Sequence, residues 1–271
     1  MGTPSDAGIR QGEENEASGS LPSTFDDGDV YDLVGNFPYA LDFYVGMASA
    51  ARGAVLDVAC GTGRILLPCL TEGIDIEGLD FYEGMLATLR KKAAAKGLSP
   101  KLHRADMSDF HLERRYALIM IPFNAFIHNV TQEAQIGCLT LCREHLAPGG
   151  LLVFDTFFPT AQYTSTPPGT RVLEGELPHP ETGLPMRMYD TRTLDPVLQE
   201  QHSVNELELL AADGSIQRVH RSETRARYIY KQEMALLLRI AGFGRWEIHG
   251  DFDRRPLTRE TDAMIVEAWR S

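Results

Sequence analysis

VLDVACGTGRILLP, from Val55 to Pro68, is the stretch on which the fold of this chain turns. An apolar run carries an acid, Asp57, passes two glycines, Gly61 and Gly63, and re-enters apolar sequence at helical spacing. That order reads as a strand, a tight turn and a helix. In an open α/β sheet, ligands sit beyond the carboxyl ends of the strands, next to the first one. The glycines remove side chains where a ligand must come close to the backbone and permit φ values that other residues resist. Asp57 sets a negative charge beside them. A dinucleotide fold keeps this turn free of carboxylates because it cradles a pyrophosphate, and its G-x-G-x-x-G fingerprint needs a glycine where this chain has Leu66. A cationic ligand is favoured instead, and a sulfonium that also carries an amino group suits Asp57.

Outward from this stretch, short β-like runs alternate with helical ones, as a parallel sheet with crossover helices requires. Val55–Val58 is the first strand, followed by a helix over 64–72, a strand over 74–79 and a helix over 84–96 that Gly97 ends. Strands follow at 101–105 and 117–121, then a helix over 133–145 stopped by Pro148, Gly149 and Gly150, and a fifth strand over 151–157. The alternation breaks at 158–183, a connection rich in Pro, Thr and Gly. Three candidate strands come next, at 186–194, 197–210 and 215–230. The alternation of Glu206, Leu207, Glu208 and Leu209 predicts an antiparallel layer with one wet face. Doubly wound order resumes with a helix over 232–240 and strands at 245–249 and 263–269. Residues 158–230 therefore form an insertion after the fifth strand, a lid or substrate surface or, since exposed strands seek partners, a dimerisation surface.

At the N-terminus, residues 1–24 are rich in Gly, Ser, Glu and Pro and read as a disordered leader, with one domain over 25–271. Tyr31, Phe37, Tyr39, Phe43 and Tyr44 then crowd five rings into one or two helices, with Pro38 near the start of the second. They serve either as a packing face or as a cover for a substrate.

The 26 basic against 38 acidic residues, a formal charge of -12, disfavour nucleic acid and point to a small-molecule partner. No apolar run approaches the ~20 residues that span a bilayer, and the start lacks the order of a signal peptide, so the chain reads as cytoplasmic and not membrane-bound. The four cysteines, Cys60, Cys69, Cys138 and Cys142, form no CxxC pair and read as buried thiols, with no metal site expected.

Two further acids end strands. Asp80 closes IDIEGLD, where a carboxylate can accept both hydroxyls of a ribose or can cap the following helix. Phe81 beside it can stack on a purine. Asp106, in HRADMSDF, can accept from an adenine amino group while Met107 packs on the ring; alone it would read as a cap. Three acids at three successive strand ends exceed what caps explain.

Together these pieces resemble the class I S-adenosylmethionine-dependent methyltransferases. The resemblance rests on VLDVACGTGRILLP, the acid of GLD, RADMSDF, YALIMIPFNAFIHN and HLAPGGLLVFDTF, in this order. It implies a Rossmann-like sheet of seven strands with the last antiparallel, and S-adenosyl-L-methionine as cofactor. It also implies that Asp57, Gly61 and Gly63 face the methionine part, Asp80 the ribose, and Asp106 with Met107 the adenine, with Ala59 and Phe81 completing the expected cofactor-binding set. Ala59 stands where many members carry glycine. IPFNAFIHN looks like the corresponding segment of small-molecule N-methyltransferases of the glycine and amino-sugar types. Asn124 would then contact the acceptor or the methionine moiety, and His128 would be a base or an orienting donor, unless it is a capping or core histidine. Asn129 reads as a cap for the next helix. Methyl transfer to a small-molecule amine is the expected activity. The alternatives are an O- or C-methyltransferase of a phenol or acid, and a binder of the cofactor without catalysis. Arg218, Arg221, Arg225 and Arg227 can hold an acidic group such as a diphosphate or can lie on a solvated strand face. Tyr189, Arg192, His202, His220 and Tyr228 divide between the site and water in a way the sequence leaves open.

Overall fold

Residues 20–35 and 39–270 are described by the computed structural model, so most of the expected leader, with Phe37 and Pro38, lies outside the described residues. Pro22 and Thr24, at the end of that leader, bond the backbone of Glu223. α1 (Gly28–Val34) begins where the Asp27 carboxylate accepts the N–H groups of Asp29 and Val30, and α2 (Leu41–Ala50) follows it.

β1 (Val55–Val58) is buried at every position, since parallel strands on both sides and helices on both faces leave it no wet side. α3 (Leu66–Thr71) starts two residues later than its apolar spacing suggests, because the glycine turn occupies the positions before it. The chain continues through β2 (Ile76–Asp80), α4 (Glu83–Ala95), β3 (Lys101–Arg104) and β4 (Tyr116–Ile121) to a 3-10 turn (Ala125–His128). α5 (Gln132–His145) and β5 (Leu146–Phe157) complete the parallel part. After α6 (Ala161–Thr164) come β6 (Thr170–Pro178), β7 (Pro185–Asp195), β8 (Glu200–Leu210) and β9 (Ile216–Arg227). α7 (Lys231–Ile240), β10 (Arg245–His249) and β11 (Ala263–Trp269) end the fold. The main sheet has seven strands in the order β10-β11-β5-β4-β1-β2-β3, with β11 antiparallel to both neighbours, as expected. The insertion is a separate antiparallel sheet in the order β6-β7-β8-β9.

β6 corrects the sequence reading, which has an irregular connection there. It is an edge strand, exposed at nearly every position, so no buried face imprints an apolar period on its residues. In register, Glu206 stands opposite Tyr189 on one side and Arg221 on the other, and Arg171 bonds both Glu206 and Glu208; Glu208 is itself buried, so the face expected to be wet is a partly covered ladder of paired charges. Arg227 ends β9 nearly buried. Its guanidinium bonds Gln135 of α5, Gln199 and Glu233 of α7, which fastens the insertion to the main sheet's helices.

Alternate residues of the central strands feed two cores. Leu56, Val58, Ile119, Ile121 and Phe154 pack toward α5 and α7, while Val55, Leu118, Met120 and Val153 pack toward α2, α3 and α4. By the same alternation Asp57 and Asp155 emerge on the α2 side.

Glu77 in β2 is buried yet ionised. Burial pushes its carboxyl up, but bonds from Arg114, His103, Lys101 and Tyr116 outweigh that and hold it at about 2. Removing one member of a buried ion pair leaves the others uncompensated; because these cations reach water, Glu77→Ala is expected to cost about 2–4 kcal/mol. Since the folded pKa lies below the ordinary 4.5, the stabilisation is present above that pH and is lost as pH falls toward about 2. Denaturant titrations between pH 5 and pH 2 should therefore lose stability faster for the wild type than for Glu77→Gln. Parallel curves would refute the ion-pair account.

Candidate active site

Beyond the carboxyl ends of β1 and β2, under α1, lies a cavity of about 620 Å³. Its floor is the turn of the opening stretch. Ala59, Gly61 and Gly63 all take left-handed φ, at 57°, 54° and 87°. A side chain at Gly63 would meet Leu89 and Leu67 at 2.9 and 3.0 Å, so this glycine lets α3 and α4 pack on the turn. A Cβ at Gly61 would meet no atom within 4 Å, because that direction is the cavity itself. Ala59 holds a conformation that costs an L-residue about 1–2 kcal/mol. Such strain is a mark of functional turns.

Asp57 is 1% exposed, and neither of its carboxylate oxygens has a hydrogen-bond partner. Burial, and then the nearby Asp80, push its carboxyl far above the ordinary carboxylate range. A buried polar group left unpaired costs about 1–3 kcal/mol, more when charged, so its place on the cavity wall suits a guest that donates hydrogen bonds and carries positive charge. Asp80, also nearly buried, accepts the Gly61 N–H at 2.8 Å and the Tyr82 N–H at 2.9 Å, one on each oxygen. It does not cap α4, whose N-cap is Tyr82 without a side-chain bond. Each oxygen keeps a lone pair for a hydroxyl. Phe81, 54% exposed, stands at the rim.

Asp106 does not line the cavity, although its neighbours Ala105 and Met107 do. Its Oδ1 accepts both the N–H and the hydroxyl of Ser108 at 2.7 Å, and this local turn draws the exposed carboxylate aside. Asn129 is not the cap of α5, a place taken by Thr131. It is buried and donates to the Met107 sulfur and the Phe126 carbonyl, which fixes Met107 against the cavity.

The exit of β4 forms the wall opposite. Phe123 and Asn124 both have φ of 60°, a rare pair for non-glycine residues. Pro122, Phe123 and Ala125 line the cavity, and the Asn124 side chain does not. His128 does. Its Nδ1 lies 2.9 Å from the Arg225 carbonyl, and because a carbonyl only accepts, Nδ1 carries the hydrogen and Nε2 keeps its lone pair in the neutral ring. Burial lowers its pKa, against a smaller opposing effect of the Arg225 carbonyl. A neutral imidazole at physiological pH is a competent proton acceptor.

The N-terminal aromatics divide between the two roles open to them. Tyr31 and Phe25 line the cavity, Tyr44 is fully buried, and Tyr39 and Phe43 pack on Phe252. Asp32 of α1 clamps this roof to the floor by accepting the Thr62 hydroxyl and the Lys92 ammonium. Of the insertion residues singled out above, none lines the cavity among the described residues; the insertion reaches the mouth through the Arg225 carbonyl. Tyr228 is buried between Tyr163 and Tyr230, and His202 bonds Glu223. Three of the four arginines are engaged within the insertion or at its base: Arg221 with Glu206, Arg225 with Glu200 and Arg227 with Glu233. They form a paired strand face and not an open anion cradle.

Sequence reasoning missed Asp155, which accepts from the backbone of Phe123 and Asn124 and from the Tyr44 hydroxyl. Its signal was present in FDTFF, a fourth acid at a strand end.

Residues 55–150 match the family described as Methyltransferase domain. Over 105 residues the chain is 34% identical to the dTDP-3-amino-3,4,6-trideoxy-alpha-D-glucopyranose N,N-dimethyltransferase of Streptomyces venezuelae, covering 39% of this chain and 43% of that protein. Over 116 residues it is 30% identical to the dTDP-3-amino-3,6-dideoxy-alpha-D-glucopyranose N,N-dimethyltransferase of Streptomyces fradiae, covering 43% and 44%. The match thus spans less than half the length of these curated relatives. Along almost its whole length the fold is similar to the CcbJ methyltransferase from Streptomyces caelestis, with 27% identity, a TM-score of 0.70, and 88% of this chain and 98% of that one covered.

Proposed function

We propose that this chain, which belongs to the class I S-adenosylmethionine-dependent methyltransferases, methylates the amine of a small molecule, with amino sugars as the acceptor class. S-adenosylmethionine is the family's cofactor, and when bound it supplies an electrophilic methyl group on a sulfonium. The observation that carries the cofactor reading is Asp57, a buried carboxylate with both oxygens unpartnered on the cavity wall. It would take the ammonium of the methionine end, with Ala59, Gly61 and Gly63 giving the backbone approach. Asp80 would accept the ribose hydroxyls while Phe81 and Met107 flank the base. Asp106, turned aside onto Ser108, would reach the adenine only from the edge.

At the acceptor end the chain positions, excludes water and moves one proton. An amine becomes a nucleophile only once deprotonated, and His128, neutral with Nε2 free, would take that proton. Tyr31 and Phe25 close the cavity against water, which matters because in-line displacement depends on alignment more than on any covalent step by the protein. Asn124 would contribute through the turn it forms beside His128. The amine is favoured over oxygen by the relatives that act on dTDP-linked amino sugars. All four cysteines are buried free thiols, which supports work in the reducing cytoplasm.

Transfer from methyl-labelled cofactor to a panel of amino-sugar nucleotides, amino acids, phenols and carboxylic acids tests this. Label is expected on the nitrogen of an amino sugar. Label on oxygen would replace the amine reading, and failure to bind S-adenosylhomocysteine would remove the cofactor reading.

A further inference from the structure

Phenylalanine resists the left-handed conformation, and two non-glycine residues in that conformation in succession persist only where their surroundings hold them. At Phe123 and Asn124 the hold is one side chain. Asp155, completely buried, accepts the Phe123 N–H on Oδ1 at 2.8 Å and the Asn124 N–H on Oδ2 at 3.1 Å. The Tyr44 hydroxyl of α2 donates to the same Oδ1. The turn so held presents Pro122, Phe123 and Ala125 to the cavity, with the Arg64 guanidinium 3.9 Å from the Phe123 ring centre. α2 contributes Leu41 to the same cavity. One carboxylate therefore joins a wall of the cavity to α2.

We propose that Asp155 is a positioning residue: its carboxylate holds the Phe123–Asn124 turn in the left-handed form that shapes the cofactor cavity and, through Tyr44, couples that wall to α2. Asp155 acts through the turn and need not touch a ligand. The affinity part rests on the cofactor reading above; the hold itself does not.

The full-length chain is tested by residue-resolved amide exchange and by calorimetry with S-adenosylhomocysteine. Asparagine at 155 offers a single accepting oxygen, so in Asp155→Asn the amides of Phe123 and Asn124 should exchange about tenfold faster or more, while those of Val153 and Phe154 in β5 keep their protection. Affinity for S-adenosylhomocysteine should fall about fivefold or more. Glycine takes a φ of 60° freely, so in a background carrying both Phe123→Gly and Asn124→Gly the same change at 155 should cost less than about twofold. Unchanged exchange at 123 and 124, exchange raised along all of β5, or an equal loss in both backgrounds would each overturn the proposal. Tyr44→Phe leaves both backbone bonds in place and decides the coupling even if Asp155→Asn does not fold: affinity should fall about two- to threefold, and an unchanged value overturns it. A wild type that fails to bind S-adenosylhomocysteine would sink the cofactor reading, whereas the exchange experiment would still decide the hold.

Discussion

Asp57→Asn is expected to weaken S-adenosylhomocysteine binding about a hundredfold, or about 2.7 kcal/mol, while making the unliganded protein more stable. The loss follows from removing the charge that would meet an ammonium in a dry site, where charged hydrogen bonds contribute about 1.5–3 kcal/mol. The gain follows because the wild-type carboxylate is buried with both oxygens unpaired, and the amide removes that buried charge. The two effects have opposite signs, which separates a binding residue from a structural one. The pH dependence has a definite sign as well. Burial and Asp80 raise the folded pKa of Asp57 above its ordinary 3.8, so acidification protonates it and should lower affinity for the cationic guest. Calorimetry across pH, with thermal melts of the free protein, checks all three. A wild-type affinity in Asp57→Asn, or a lower melting temperature, would remove Asp57 from the cofactor site.

His128→Ala is expected to lower kcat about a hundredfold, the usual contribution of a positioned base, and to leave S-adenosylhomocysteine affinity within about twofold. The ring is held by its Nδ1–H bond to the Arg225 carbonyl, so Nε2 is the atom left free to take a proton. Burial lowers its pKa below the ordinary 6.5, with the carbonyl opposing in part. The wild-type rate should therefore rise with pH through a midpoint below 6.5 and reach its plateau by neutrality, and that acidic limb should vanish in His128→Ala. Full turnover without His128, or an acidic limb that survives its removal, would assign the ring to structure, where its edge-on contact with Phe25 already places it.

The glycine turn and the strand ends were legible because their constraints are local. Gly61 and Gly63 are needed wherever the chain must turn left-handed beside a cavity and a helix, and the buried strands β1, β4 and β5 advertise themselves as apolar runs. β11 was placed to the residue for the same reason, and β10, an edge strand, because Trp246 and Ile248 alternate onto the core. β6 was invisible because an exposed edge strand has no buried face to impose a period. The acids at the strand ends were found as a set, yet their roles parted in three dimensions. Asp57 and Asp80 line the cavity, while Ser108 holds Asp106 aside.

By itself, then, the sequence determined the doubly wound sheet, the place of the insertion and the glycine turn, since each depends on periodicity or on backbone freedom within a few residues. Only the tertiary structure decided that Asp155 braces Phe123 and Asn124, that Tyr31 and Phe25 roof the cavity, and that Arg221, Arg225 and Arg227 are engaged by acids. Those outcomes join residues far apart in the chain. Which donor a buried carboxylate meets, and which acid a surface arginine finds, follows from how the elements pack and not from any spacing along the sequence.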